Sequence, residues 1–208
     1  MALRAGLVLA SALAVSSCSP LSKIDWSRVF SRDGLSQPER VLAALGVAPG
    51  AQVADLGAGG GYFTFRLAHA VGPQGRVYAV EIDARLLRRL EDRTRAGRHE
   101  NVEVVTGSVD DPHLPDGTIE LVLLSSVYHH LQDRAAYFTR LRRDLAPGGR
   151  VAVLEPRASA ASWLLLLPPG HGVAVPRMRE EMAAAGYRVA ASYDFLPAHS
   201  FEVFAPDP

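Results

Sequence analysis

The run Val53-Ala54-Asp55-Leu56-Gly57-Ala58-Gly59-Gly60-Gly61-Tyr62 holds the residue types and spacing best suited to chemistry. Apolar residues lead into Asp55, and glycine then fills positions 57, 59, 60 and 61. Glycine has no Cβ, so it accepts left-handed backbone and lets a ligand approach the main chain closely. A loop of this kind between a strand and a helix suits a nucleoside cofactor. The dinucleotide spacing G-x-G-x-x-G needs a third glycine at 62, where Tyr62 stands. Starting instead from Gly59 needs one at 64, where Thr64 stands. No Lys-Ser/Thr pair follows, so a phosphate-cradling P-loop fails as well. A second acid, Glu81, closes the apolar run Val77-Tyr78-Ala79-Val80, twenty positions after Gly61. A carboxylate there can accept hydrogen bonds from both hydroxyls of a free ribose, a device nicotinamide enzymes share.

His129 and His130 follow Tyr128 beyond the apolar run 119–124. Imidazole titrates near neutrality, so either ring is a candidate base. The competing role is a capping or wall-filling histidine. Adjacent residues of an extended segment point to opposite faces, and no Asp, Glu or Cys stands at ligand spacing, so no metal site is expected. His171 and His199 lie in a less patterned region; they could reach the pocket, but the surface is the expected place for each. Trp163 and the leucines at 164–167 are read as core in preference to a substrate pocket.

The elements that must position these groups show in the pattern of apolar residues. Residues 37–45 have Val41, Leu42 and Leu45 at helical spacing, Pro38 in the first turn and Gly46 at the end. Strands are expected at 52–56, 76–80, 101–106, 119–124 and 150–154. Helices are expected at 62–70, 84–96 and 133–145, the last capped by Asp133. Pro147-Gly148-Gly149 is read as the turn before the fifth strand. Beyond Glu155 the alternation weakens, and 156–170, with Pro168-Pro169-Gly170, is read as a lid or pocket wall. A helix at 175–185 then precedes strands at 187–195 and 201–204, which can pair as a closing hairpin.

Alternating strand and helix with short turns predicts an α/β chain whose parallel sheet is covered on both faces. Ligands bind such sheets at the carboxyl ends of the strands. The glycine loop, Glu81, Asp110, Ser125 and Glu155 all fall just after expected strands, so they are expected along one edge.

The chain of 208 residues is long enough for one sizeable core. Lys+Arg and Asp+Glu both number 22, so charge gives no pointer to nucleic acid. The first residues stand apart. Met1 to Arg4 carry one positive charge, 5–15 are uncharged and largely apolar, and Val15-Ser16-Ser17-Cys18 follows. That order is the pattern of an export signal, and the cysteine makes it resemble a bacterial lipoprotein signal cut before Cys18 and lipidated there. Ser19 in the next position favours the outer membrane in that reading. Cys18 is the only cysteine, which excludes an intramolecular disulfide. Residues 19–36 are read as a tether ending in a short docking segment with Trp26 and Phe30, and 37–208 as the catalytic domain.

Five segments in order resemble the class I S-adenosylmethionine-dependent methyltransferases. They are Asp55 to Gly61, Val80-Glu81-Ile82-Asp83, Gly107 to Gly117, Leu121 to Leu131 and Leu141 to Val151. Within that superfamily the chain looks most like the small-molecule group that includes the ubiquinone/menaquinone C-methyltransferases. The resemblance implies a Rossmann-like, mostly parallel seven-stranded sheet with a C-terminal antiparallel hairpin. It implies S-adenosylmethionine as cofactor, held by backbone groups at Gly57, Gly59 and Gly61 and by the Glu81 carboxylate on the ribose. Asp55 is then expected at the amino-acid end or as a support of the loop, and Ser125 contributes its carbonyl near the ammonium. Many relatives have Gly-Asp where this chain has Gly107-Ser108, which leaves Ser108 or Asp110 to meet the adenine. Methyl transfer to a small-molecule acceptor is the function implied, with His129 or His130 as base. The export signal motivates the alternative of an inactive binding module, because S-adenosylmethionine is made in the cytosol. A nicotinamide-dependent oxidoreductase is the third reading, and Tyr62 argues against it.

Overall fold

In the computed structural model, which describes residues 32–157 and 172–208, the apolar runs form seven strands. These are β1 Gln52–Leu56, β2 Arg76–Glu81, β3 Val102–Thr106, β4 Ile119–Ser125, β5 Leu145–Pro156, β6 Tyr187–Tyr193 and β7 His199–Pro206. The export signal with Cys18, and also Ser19, Trp26, Phe30, Trp163, the leucines at 164–167, Pro168-Pro169-Gly170 and His171, lie outside the described residues.

The strands make one mixed sheet in the order β3-β2-β1-β4-β5-β7-β6. β1 pairs in parallel with β2 and β4, as do β2 with β3 and β4 with β5. β7 runs antiparallel to both β5 and β6. The first five strands follow the doubly wound order, and the order of strand addition reverses between β1 and β4, where such sheets bind ligands. The departure from a dinucleotide-binding sheet is at the far edge, where β7 lies between β5 and β6.

Six helices frame the sheet among the described residues: α1 Arg32–Ser36, α2 Pro38–Leu45, α3 Thr64–Val71, α4 Ala84–Ala96, α5 Arg134–Leu141 and α6 Val175–Ala184. Side chains alternate across a strand, so neighbouring residues enter different cores. Val53, Val77 and Leu123 pack with Val41, Leu67 and Leu90 on one face. Ala54, Val122 and Val153 pack with Phe138, Leu141 and Met178 on the other. Both faces are therefore covered, which explains why Leu121-Val122-Leu123-Leu124 carries no polar residue. Truncating the fully buried Leu123 to alanine is expected to cost about 2–5 kcal/mol through lost burial and a cavity. Asp83 starts α4 by accepting from the Arg85 and Leu86 amides, and Asp133 starts α5 by accepting from Ala136.

Three boundaries differ from the sequence expectation. The helix expected at 62–70 begins only at Thr64, because the chain is still turning through Gly61 and Tyr62. The helix expected at 133–145 ends at Leu141, and Leu145 already pairs with Ile119 in β5. Pro147-Gly148-Gly149 is thus an irregularity inside that pairing, not a turn before the strand. A Cβ on Gly149 would lie 2.6 Å from the Ile119 carbonyl oxygen, so only glycine permits the close approach. Leu141 and Leu145 sit four apart, which helical periodicity cannot distinguish from a helix handing over to a strand. The closing hairpin forms as expected, with β6 ending at Tyr193 and β7 spanning 199–206.

Candidate functional site

The glycine loop turns over the carboxyl ends of β1 and β2. Gly57 and Gly59 have φ of 74° and 56°, left-handed values that disfavour other residues. The amides of Gly57 and Ala58 both donate to the Val80 carbonyl at 2.9 Å, locking the loop to β2. A Cβ on Gly57 would press into Val127, its Cβ 3.2 Å away. A Cβ on Gly59 would meet nothing nearer than the Gly57 carbonyl at 4.0 Å, so the space before Gly59 is open.

Glu81 is buried at the end of β2, and its carboxylate is gripped by main chain. Gly59 N–H donates to one oxygen at 2.8 Å, while Ile82 and Asp83 N–H donate to the other at 2.7 and 3.0 Å. A carboxylate has about four lone-pair sites, so three donors fix its position and leave room for one more.

Asp55 ends up behind the loop. Only 2% exposed, it accepts from the Thr64 hydroxyl at 2.6 Å, which joins the end of β1 to the start of α3. Burial pushes its pKa up to about 6, with the Thr64 bonds pulling down and the Glu81 charge adding a further rise. Asp55 does not line the cavity, and its bond to Thr64 braces the loop from behind. Gly61 is also a packing residue. Its Cβ would strike Phe65 and lie 2.9 Å from Leu90 Cδ1, and it does not line the cavity.

A cavity of about 380 Å³ opens where β1 and β4 diverge, within the range of small-molecule sites. The segments after β1 and β2 line it with Gly57, Gly59, Glu81, Ile82 and Leu86. The segment after β4 and the start of α5 add Ser125, Ser126, Val127, His130, Gln132 and Tyr137, and the loop after β3 adds Ser108 and Val109. Ile82 and Val109 are 58% and 68% exposed, unusual for apolar side chains beside a polar loop. A shallower depression of about 510 Å³ near Arg98, His99 and Val104 gathers none of the strand-end residues. Asp110 does not reach the cavity. Its carboxylate accepts from Ser108 Oγ at 2.8 Å and faces Arg140 at 3.6 Å.

Tyr128–His130 is a 3-10 turn, which corrects the extended segment expected for the two histidines. Their rings do not point apart but lie against each other, tilted by 46° with centroids 4.0 Å apart. His130 lines the cavity and His129 does not. His129 Nδ1 instead lies 2.8 Å from Glu155 Oε1, an acidic partner not foreseen at ligand spacing. Glu155 is fully buried, accepts also from the Val173 amide at 3.1 Å, and its second oxygen has no hydrogen-bond partner. Burial raises its pKa to about 7, opposed by the Val173 bond, the Arg134 charge and the His129 bond. Among the described residues no group of three or more His, Cys, Asp or Glu is arranged to hold a metal ion.

His199, expected at the surface, is half-buried at the start of β7, and burial lowers its pKa. Its Nε2 lies 3.2 Å from Ser126 Oγ. Ser126 and Val127 are the lining residues that sequence reasoning passed over. Ser126 adopts φ 58°, and a left-handed serine leaves no signal in composition or period.

The sequence profile of a family described as "Methyltransferase domain" matches residues 53–149. An arsenite methyltransferase of Halobacterium salinarum is 32% identical over 59% of this chain and 30% of its own length. The ubiquinone/menaquinone biosynthesis C-methyltransferase UbiE of Pasteurella multocida is 34% identical over 53% of this chain and 41% of its own. The chain therefore spans less than half of either relative. A SAM dependent methyltransferase from Aquifex aeolicus superposes with a TM-score of 0.73 at 25% identity, covering 87% of this chain and 93% of that one. These likenesses support a class I S-adenosylmethionine-dependent methyltransferase domain, and its cofactor is S-adenosylmethionine. The residues fit that group: an open cradle at Gly59, a fixed carboxylate with an acceptor site to spare, and two exposed apolar side chains beside it.

Proposed function

We propose that this chain transfers a methyl group from S-adenosylmethionine to a small-molecule acceptor. The observation that carries the reading is Glu81, held by three backbone donors at the mouth of a cavity over the β1/β4 switch point. In this assignment Glu81 accepts a ribose hydroxyl, Gly59 leaves space for the cofactor, and Ile82 and Val109 flank its base. Gly57 and Ser125 line the same end, with Ser108 beside the base and Asp55 bracing the loop. Bound there, the cofactor supplies an electrophilic methyl on a sulfonium whose departing thioether is neutral. What the chain must do is align the acceptor and exclude water, and alignment alone lowers such barriers by several kcal/mol. Ser126, His130, Gln132 and Tyr137 supply the polar surface for that alignment. His129, tied to Glu155, braces His130 from behind.

Arsenite is a thiol-seeking acceptor, and soft centres select thiolate ligands. No cysteine lines the cavity, and the only one in the chain is Cys18. An oxygen or carbon acceptor, as in ubiquinone/menaquinone precursors, is the better fit. Calorimetry with S-adenosylmethionine and S-adenosylhomocysteine tests the cofactor assignment, and absence of binding at millimolar ligand overturns it. Labelled-methyl transfer to arsenite and to quinone precursors then separates the acceptors.

Residues 1–18 act in this proposal as a lipoprotein signal, placing 37–208 at the periplasmic side of the envelope behind a tether. Mass spectrometry of the mature N-terminus decides it. A lipidated Cys18 supports the anchor, and an intact Met1 in the soluble fraction refutes it.

A further inference from the structure

Ser126 follows β4 and His199 opens β7, 73 residues apart, yet their side chains meet beside the cavity that Ser126 lines. Ser126 is held in the left-handed region at φ 58°, which is strained for a non-glycine residue. Its amide donates to the Leu154 carbonyl at 2.8 Å, so the turn is pinned to β5. The pinned turn sets the serine on the cavity wall, with its hydroxyl 3.2 Å from His199 Nε2. A strained residue at a site wall, bonded to an imidazole, is where such strain tends to serve chemistry.

His199 is prepared to be neutral. Its Nδ1 is buried and has no hydrogen-bond partner among the described residues, which penalises a charged ring and leaves the tautomer to the Ser126 bond alone. Burial is the main cause of its lowered pKa, and the Arg157 charge at the end of β5 adds to it. The other groups around it are accounted for. Glu155 lies one register position away on β5, opposite Ser200, and is engaged with His129 and Val173. Glu202 on β7 itself is bound by Arg179 and Ser192. The 3-10 turn contributes His129 and His130, whose tilted rings lie against each other.

We propose that Ser126 and His199 form a proton relay at the acceptor end, and that the acceptor is therefore one that must lose a proton: a hydroxyl, a thiol or an activated carbon acid. The acceptor's X–H bond breaks and its proton joins Ser126 Oγ. In the same step the seryl O–H proton moves to His199 Nε2. The electron pair left on X is the nucleophile, Ser126 ends as it began, and the imidazolium later returns its proton to water. This relay rests on the methyl-transfer reading for its chemistry, but its geometry can be tested without it.

The first measurement is nitrogen NMR of the full chain without cofactor. The relay requires the neutral His199 ring to carry its proton on Nδ1, leaving Nε2 to accept, and the ring should titrate below an ordinary histidine. Ser126→Ala should shift the Nε2 resonance. A neutral ring protonated at Nε2 overturns the relay, because that nitrogen then has no site for a proton. The second measurement uses phenol as an acidic-hydroxyl probe with labelled cofactor. His199→Gln keeps a hydrogen bond to Ser126 but cannot take up a proton. It should lower kcat roughly 100-fold and remove the acid limb of the pH profile, with cofactor Kd unchanged. A His199→Gln variant that retains kcat and the wild-type pH profile shows a prop, not a relay. Loss of cofactor binding by the wild-type chain defeats the methyl-transfer reading instead, and the NMR result still decides whether the pair is set up for proton transfer.

Discussion

Glu81 and Glu155 both stand at the carboxyl end of a parallel strand, and both are buried, at 7% and 0% exposure. Glu81 has each oxygen engaged by main-chain N–H. Glu155 shares one oxygen between His129 and Val173 and leaves the other unpaired. Three fixed donors hold a charge without help from side chains, so the cofactor end is built before any ligand arrives. An under-satisfied buried carboxylate favours its protonated form, so the acceptor end is assembled from groups whose charge can change. In the proposed assignment, binding and chemistry are thereby separated along one sheet edge.

The largest effect should come from breaking the first half of that contrast. Glu81→Ala orphans three amides and removes the ribose acceptor, and hydrogen bonds to a charged group contribute about 1.5–3 kcal/mol each. S-adenosylmethionine affinity should fall ~100-fold or more by calorimetry. Affinity within a few-fold of wild type would mean the two carboxylates are not specialised as described.

Glu155 tests the other half through pH. Its folded pKa, about 7, is above a glutamate's ordinary value of 4.5, so folding favours the protonated acid. The stability it contributes is complete below pH 4.5 and is lost as pH rises through about 7. The loss is on the order of 3 kcal/mol. Urea unfolding of Glu155→Gln across that window should lose most of this slope. Asp55 has the same sign over a lower window, from 3.8 to about 6, and a somewhat smaller expected slope that Asp55→Asn should flatten. If Glu81→Gln flattened these slopes instead, the assignment of titrating groups to the acceptor side and the loop base would be wrong.

Smaller still is Thr64→Val, which leaves an Asp55 oxygen unbonded in the core at a cost of about 1–3 kcal/mol. Smallest is Tyr62→Phe. It removes the hydroxyl that donates to Asp33 on α1, an exposed bond that contributes about 0.5–1 kcal/mol. Its effect on cofactor affinity should be slight, because Tyr62 does not line the cavity.

The cofactor end was legible in the sequence because its information is local. Glycine spacing, an acid closing an apolar run and the alternation of strand and helix all lie within a few dozen residues. Even there, the sequence did not separate Gly59, which faces the cavity, from Gly61, which packs against Phe65 and Leu90. Both need left-handed backbone, and spacing reports conformation without saying what lies in front of it. The acceptor end was hidden for a different reason. His129 meets Glu155 across 26 residues and Ser126 meets His199 across 73, and no periodicity encodes such encounters. His199 was expected at the surface because the pattern weakens beyond Glu155, yet its neighbours Ala198 and Ser200 are both buried.

The position of β7 has a consequence for how the molecule is made. It is the last of the seven strands in the sequence, yet it fills an interior slot between β5 and β6. During synthesis, the β5 edge therefore waits open until residues 199–206 have left the ribosome. Until then β6 has no place in the sheet, and an unpaired edge is a template for pairing with other chains. His199 sits at the start of that late strand, so the proposed relay is completed only when the sheet itself closes.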